Sequence, residues 1–306
     1  MSADLLPALL EQINGDARRH ADWGRVASYI PELACVDPAQ FAISVCCVDG
    51  REYHAGDVGV GFSIQSVSKV FTLALALGRF GDGLWERVGK EPSGRAFNSI
   101  VQLEVEDGIP RNPFINAGAI VTTDAVLGSN APRDTLGELL LFLREAAEDG
   151  DIHINDSVAR SEYATGDRNF ALAHFLRSCG NLHNSCDKVL GTYFHHCAIE
   201  MTTAQLARAA RFLCGGFAGQ RMIGIERVRS INALMMTCGH YDGSGAFAYR
   251  VGFPGKSGVG GGIMAVVPNV ASIAVWSPGL DRYGNSQQGT AALERLSRDT
   301  GWSVFS

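Results

Sequence analysis

Apolar and polar residues follow two different periods along this chain, and the switches between them set its organisation. Residues 3–20 place Leu5, Leu9 and Ile13 on one stripe at helical spacing, which predicts an amphipathic helix. Residues 41–48 (FAISVCCV) are instead a short run of strand formers. Asp49-Gly50 follows as a hairpin turn and leads into a second strand over residues 51–54. After Gly61 the period becomes helical. Residues 135–148, 169–177 and 204–214 read as helices within a mainly helical stretch from Ser66 to about Leu234. Strand patterns return over residues 246–252, 263–267 and 270–276. Pro268-Asn269 is the turn that makes the last two antiparallel neighbours. A final helix is expected over residues 290–298.

Strands, a long helical middle, strands and a closing helix point to an α+β fold. Short antiparallel strands from both ends would build one sheet, over residues of about 1–65 and 240–306. The stretch of about 66–239 would form a helical lobe beside it, all within a single domain of 306 residues. Sites tend to lie in the cleft between such lobes. The chain carries no internal repeat, low-complexity tract or long Pro/Ser linker.

Composition adds exclusions. A hydrophobic fraction of 46% and a charged fraction of 19% suit a globular protein with a large core. The net charge of −6, without a basic cluster, argues against nucleic acid or an anionic membrane as partner. The longest apolar run, residues 70–77, is too short to span a bilayer. The N-terminus has an early acid and no basic segment, so a secretory signal is not expected and a cytoplasmic location is. Eight scattered cysteines with no C-x-x-C pair fit reduced thiols. His183, Cys186, His195, His196 and Cys197 are good zinc ligand types within fifteen residues, but their spacing matches no zinc pattern, and no metal is expected.

The candidate chemistry lies in Ser66-Val67-Ser68-Lys69, the S-x-x-K pattern of penicillin-recognising serine enzymes. Residues three apart on a helix share a face, with Cβ atoms roughly 5–6 Å apart, so the amine can reach the hydroxyl. The apolar run after Lys69 marks a buried helix, and burial disfavours the ammonium form. A neutral Lys69 could then activate Ser66, whose place in the first turn would offer backbone N–H groups to an oxyanion. Alone the motif is weak, because Ser185-Cys186-Asp187-Lys188 repeats the spacing without a buried helix behind it. Lys256-Ser257-Gly258 supplies the K-[ST]-G partner motif, and a glycine-rich turn follows it. Two of the four lysines thus fall in the two motifs, in the expected order.

With these motifs in place, the chain closely resembles the glutaminases of the β-lactamase/transpeptidase-like fold, in their minimal bacterial form. The matching blocks include Ser28 to Leu33, Phe62 to Lys69, Val88 to Gly94, Asn112 to Ile120 and Ser161-Glu162 through Gly166 to Asn169. Cys238 to Tyr241, Lys256 to Gly262, Val267 to Asn269 and Trp276 to Pro278 complete them, covering about residues 25–286. The resemblance implies hydrolysis of L-glutamine to L-glutamate and ammonia through a γ-glutamyl-serine ester, without a cofactor. It makes Ser66 the nucleophile and Lys69 the base, and counts Tyr241, as proton relay, and Tyr29 among the catalytic residues. It puts Tyr29, Asn116, Glu162, Asn169, Tyr193, Tyr241 and Val259 around the substrate, with the N–H groups of Ser66 and Val259 as oxyanion hole. A homodimer or homotetramer is also implied.

The residue types suit glutamine independently. Glu162 can pair with its ammonium, while Asn116, Asn169 and tyrosine hydroxyls can donate to its carboxylate. Singly, Glu162 also reads as a helix-start residue and Asn169 as a turn or cap. Two alternatives remain at this point. One is another S-x-x-K hydrolase, a β-lactamase or D-alanyl peptidase, against which stand the absence of an S-D-N motif and of a signal segment. The other is a catalytically silent ligand-binding domain, which would be expected to lose its nucleophile or base.

Overall fold

The computed structural model describes residues 5–20, 22–94, 98–215 and 222–305. Strand β1 (Ala42–Cys47) is apolar almost throughout because both of its faces are covered. It turns at Gly50, in the left-handed region at φ +89°, into β2 (Glu52–Gly56). On its other edge β1 pairs antiparallel with β8 (Ala271–Trp276), from Ala42 opposite Trp276 to Cys47 opposite Ala271. Strand β8 pairs with β7 (Gly262–Val267), and β7 with β6 (Gly255–Ser257), giving the order β2-β1-β8-β7-β6. The sheet therefore joins the two ends of the chain, as the pattern predicts.

The pleat sorts side chains between two cores. Ile43, Val45, Ile263, Ala265, Ile273 and Val275 face the helices Leu6–Arg19 and Gln287–Thr300. Their neighbours Ala42, Cys46, Met264, Val266, Ala274 and Trp276 face the helical lobe. The axis of that lobe is the helix Ser68–Phe80, apolar nearly all round and buried over Ser68 to Ala74. Beside it runs Asn116–Leu127, buried at every residue. A second sheet of three short strands, β3 (Phe62–Ser63), β4 (His153–Ile154) and β5 (Ile199–Met201), ordered β3-β5-β4, leads the chain into the Ser68–Phe80 helix.

Three expectations change. Leu5 is exposed, and the buried stripe of the first helix is Leu6, Leu9, Leu10, Ile13 and Ala17; the expected start at residue 3 lies outside the described residues. Residues 246–252 are not a strand, because Ser244–Arg250 is a helix. Its buried positions Ser244 and Phe247, and Val251 just past its end, recur at helical spacing, and the Ser244 hydroxyl accepts the His240 N–H and donates to the Tyr241 carbonyl. Ser66 lies in a 3₁₀ turn, Gln65–Val67, that precedes the helix.

Candidate active site

Ser66 is presented by backbone in an unusual conformation. Gln65 just before it has φ +50°, a left-handed value that costs a side-chain-bearing residue on the order of 1–3 kcal/mol. Two contacts hold it there. The Gln65 amide donates to Ser63 Oγ at 2.9 Å, and the turn after β6 presses on it from the other side. A Cβ on Gly258 would come within 2.5 Å of the Ile64 carbonyl oxygen, so only glycine permits this approach. The same turn is fixed by Trp276, which stacks on Phe62 at 5.1 Å and donates to the Gly260 carbonyl at 2.9 Å. Val259 is thereby carried to within the same cavity as Ser66.

Lys69 is wholly buried, one turn beyond Ser66. Its Nζ donates to Asn116 Oδ1 at 2.8 Å and to the Phe114 carbonyl at 3.2 Å. Burial lowers its pKa to about 8, opposed weakly by Cys197 and by the carboxylate of Glu162. The loop that supplies both acceptors is itself pinned. Asn112 Oδ1 accepts the Phe114 and Ile115 N–H groups, and Asn112 Nδ2 donates to the Glu91 carbonyl. Asn116 then opens its helix and donates to Asn169 Oδ1 at 2.9 Å, in the first turn of the helix Asp167–Ser178.

A cavity of about 190 Å³ is lined by Ser66, Asn116, Glu162, Asn169, Tyr193, Val259 and, at its mouth, Tyr29, which is 55% exposed. Glu162 lies in the last turn, not the first, of the helix Asp156–Ala164, which Asn155 caps by accepting the Ser157 and Val158 N–H groups. Burial raises the Glu162 pKa to about 7, against the opposing hydrogen bond from Gln65 and the charge of Lys69. Tyr193 stands beneath Lys69, its ring 5.8 Å from Nζ. Tyr241, also at left-handed φ (+53°), hydrogen-bonds the Ser66 side chain and donates to the Ser257 carbonyl at 3.3 Å. Lys256 supports it from behind. Its Nζ lies 4.6 Å from the Tyr241 ring and donates to the Ser257 and Gly239 carbonyls, and burial, then Lys69, depress its pKa well below the usual lysine value.

All nine residues expected at the site are thus gathered about Ser66. The second S-x-x-K is elsewhere in role. Ser185 caps the helix Cys186–Cys197 by accepting the Lys188 N–H, and Lys188 Nζ turns to Asn184. The histidines set aside as zinc ligands have other partners, with His195 Nδ1 on the Gly191 carbonyl and His196 between Ser68 and Thr123. Among the described residues no cluster of three His, Cys, Asp or Glu could hold a metal. Sequence reasoning missed Gln65, Arg168 and Cys197, which also line the cavity, and the Phe114 carbonyl. Gln65 and Arg168 lie inside the blocks that resemble glutaminases, where neither was expected to have a role; a backbone carbonyl leaves no sign in a sequence.

A sequence model of the family described as Glutaminase matches residues 24–305. The chain is 60% identical over 301 residues to the glutaminase of Pseudoalteromonas atlantica (strain T6c), covering 97% of this chain and 98% of that one. Among solved structures it is similar to the probable glutaminase ybaS, with a TM-score of 0.94 and 37% identity over 100% of this chain and 99% of that one. It is also similar to Mglu in its glutamate form, with a TM-score of 0.92 and 36% identity over 98% of this chain and 69% of that one.

Proposed function

The chain belongs to the glutaminase family and hydrolyses L-glutamine to L-glutamate and ammonia, and we propose that it does so through a γ-glutamyl ester on Ser66 with Lys69 as base. The observation that carries this is the setting of the Lys69 amine. A neutral amine has two N–H groups and one lone pair. The Phe114 carbonyl and Asn116 Oδ1 take the two N–H groups, which leaves the lone pair for the Ser66 proton.

In the first step Ser66 Oγ bonds to the carbonyl carbon of the substrate's side-chain amide as its proton passes to Lys69. The Ser66 and Val259 N–H groups hold the oxyanion, an interaction worth about 3–4 kcal/mol per donor. Collapse breaks the C–N bond while the proton moves from Lys69, relayed by Tyr241, to the leaving nitrogen. Water then attacks the ester, gives its proton to Lys69 and releases glutamate, and the Ser66 alkoxide recovers the proton. Glu162 pairs with the substrate ammonium. Asn169 and the remaining Asn116 N–H donate to the α-carboxylate, with Tyr193 and Tyr29 closing the pocket. No metal or organic cofactor enters these steps.

The wider reading is one domain over residues 1–306, since the site draws on both lobes. A cytoplasmic homodimer or homotetramer goes with it on family likeness. No helix among the described residues is long and apolar enough to cross a membrane.

The pH profile tests the base. Glu162 must be ionised to hold the ammonium and Lys69 neutral to take a proton, so both limbs fall on the acid side. With pKa values of about 7 and about 8, kcat/KM should rise through both and level off above the second, until the substrate ammonium deprotonates. Bound substrate keeps Glu162 ionised, so kcat should show the Lys69 limb alone. A kcat that stays flat from acid to alkaline pH would remove Lys69 as base.

A further inference from the structure

Behind the nucleophile lies a buried polar chain that the reaction scheme does not use. Ser68 Oγ is 2.7 Å from the Gln65 carbonyl oxygen and 2.7 Å from His196 Nδ1. On the other side of the ring, Nε2 is 3.1 Å from Thr123 Oγ1, which is itself 2.8 Å from the Ala119 carbonyl oxygen. Ser68, Thr123 and His196 are each at most 1% exposed, so their protons serve buried partners, these four contacts and, for Ser68, the weaker thiol of Cys197.

Four contacts call for four protons. Each hydroxyl brings one and a neutral imidazole brings one, so one contact goes without. If Nε2 carried the ring proton, Ser68 would have to donate to Nδ1. Two bare oxygens would then face each other at the 2.7 Å contact with Gln65. If Nδ1 carries it, the deficit falls on Thr123, which chooses between the Ala119 carbonyl and the longest contact of the four. The second arrangement is the better one. An imidazolium would satisfy all four, but burial, and then the charge of Lys69, lower the His196 pKa to about 3 and keep the ring neutral.

We propose that His196 is a positioning residue for the nucleophile: as the Nδ1–H tautomer it donates to Ser68, whose hydroxyl then donates to the Gln65 carbonyl and so fixes the left-handed turn that presents Ser66. The same carbonyl accepts the Ser68 backbone N–H, so the two bonds together clamp the peptide that precedes the nucleophile. The substrate-binding groups Glu162 and Asn169 are not part of this chain. Loss of the clamp should therefore disturb the aim of Ser66 more than the hold on glutamine. This rests on Ser66 being the nucleophile.

Two amides separate the halves of the ring. The shorter side chain of His196→Asn can return an N–H donor to the Nδ1 position, whereas His196→Gln reaches the Nε2 position and loses the donor to Ser68. His196→Gln should lower kcat about 10- to 100-fold, as small misplacements of a reacting group do, with KM changed no more than about 3-fold. His196→Asn should keep kcat within about 3-fold of the native enzyme. Equal losses of kcat in the two variants, in step with their melting temperatures, would reduce His196 to a packing role and overturn the proposal. Nitrogen NMR of the native enzyme gives a readout that needs no variant to fold, with Nδ1 expected protonated and Nε2 bare. The opposite tautomer, or an imidazolium, would also overturn it. Modification of a residue other than Ser66 by a glutamine-like electrophile would instead sink the nucleophile assignment, whatever the His196 variants do.

Discussion

Ser66→Ala and Lys69→Ala each lower kcat by on the order of 10⁴-fold or more, and the double variant is scarcely worse than either. The two groups serve one event, transfer of the hydroxyl proton as the C–O bond forms, so removing either forfeits the whole of it. Additive losses would mean that they act in separate steps. Lys69→Ala carries a structural cost that Ser66→Ala does not. It leaves the Phe114 carbonyl and Asn116 Oδ1 buried without their donor, a penalty of about 1–3 kcal/mol per group. Melting temperatures measured beside kcat separate the two effects, because Ser66→Ala should be inactive yet fully folded. Ser185→Ala is the internal control. It removes a helix cap worth about 0.5–2 kcal/mol and should leave turnover within about 2-fold. Loss of activity there would transfer the chemistry to the other S-x-x-K.

Glu162→Gln is expected to lower kcat/KM for glutamine by about 100-fold or more. The substrate ammonium would enter a closed site without a counter-charge, and breaking a buried charge pair costs about 2–5 kcal/mol. Glutamine without its amino group lacks that ammonium and should lose far less. A second consequence follows from the shared electrostatics. The Glu162 carboxylate raises the Lys69 pKa, so with the des-amino substrate the acid limb of the variant should move to lower pH. Equal losses on both substrates, with no displaced limb, would show that Glu162 does not face the ammonium.

The Asp49-Gly50 turn and the alternation around Pro268-Asn269 were legible in the sequence because turn chemistry is local. The Ser68–Phe80 helix was legible because an apolar run of that length must be buried. The strand expected over residues 246–252 was an accident of alternating small and large side chains; burial at helical spacing decided the helix. Strands β3, β4 and β5, two or three residues long, are too short to have a period. In the site, the S-x-x-K spacing pointed to Ser66 and Lys69, and the likeness to glutaminases named the rest. The Phe114 carbonyl, the left-handed Gln65 and the Thr123-His196-Ser68 chain were invisible, because each depends on which backbone and side-chain atoms meet across more than forty residues of sequence. The alternatives of a β-lactamase and a silent binding domain yield to the family match over residues 24–305 and the 60% identity to a glutaminase.

A glutamine analogue with a γ-diazoketone in place of its amide tests directly whether Ser66 forms the covalent bond. Such a reagent shares the amino-acid end of glutamine and brings an electrophile to the cavity that Ser66 lines. Its serious competitor is Cys197, a thiol on the same wall, although burial pushes its pKa up to about 12 and leaves little thiolate. Inactivation should be stoichiometric, slowed by glutamine or glutamate, and almost absent in Lys69→Ala. Peptide mass spectrometry should find the adduct on Ser66. An adduct on Cys197 or another thiol, with Ser66 unmodified, would contradict the account.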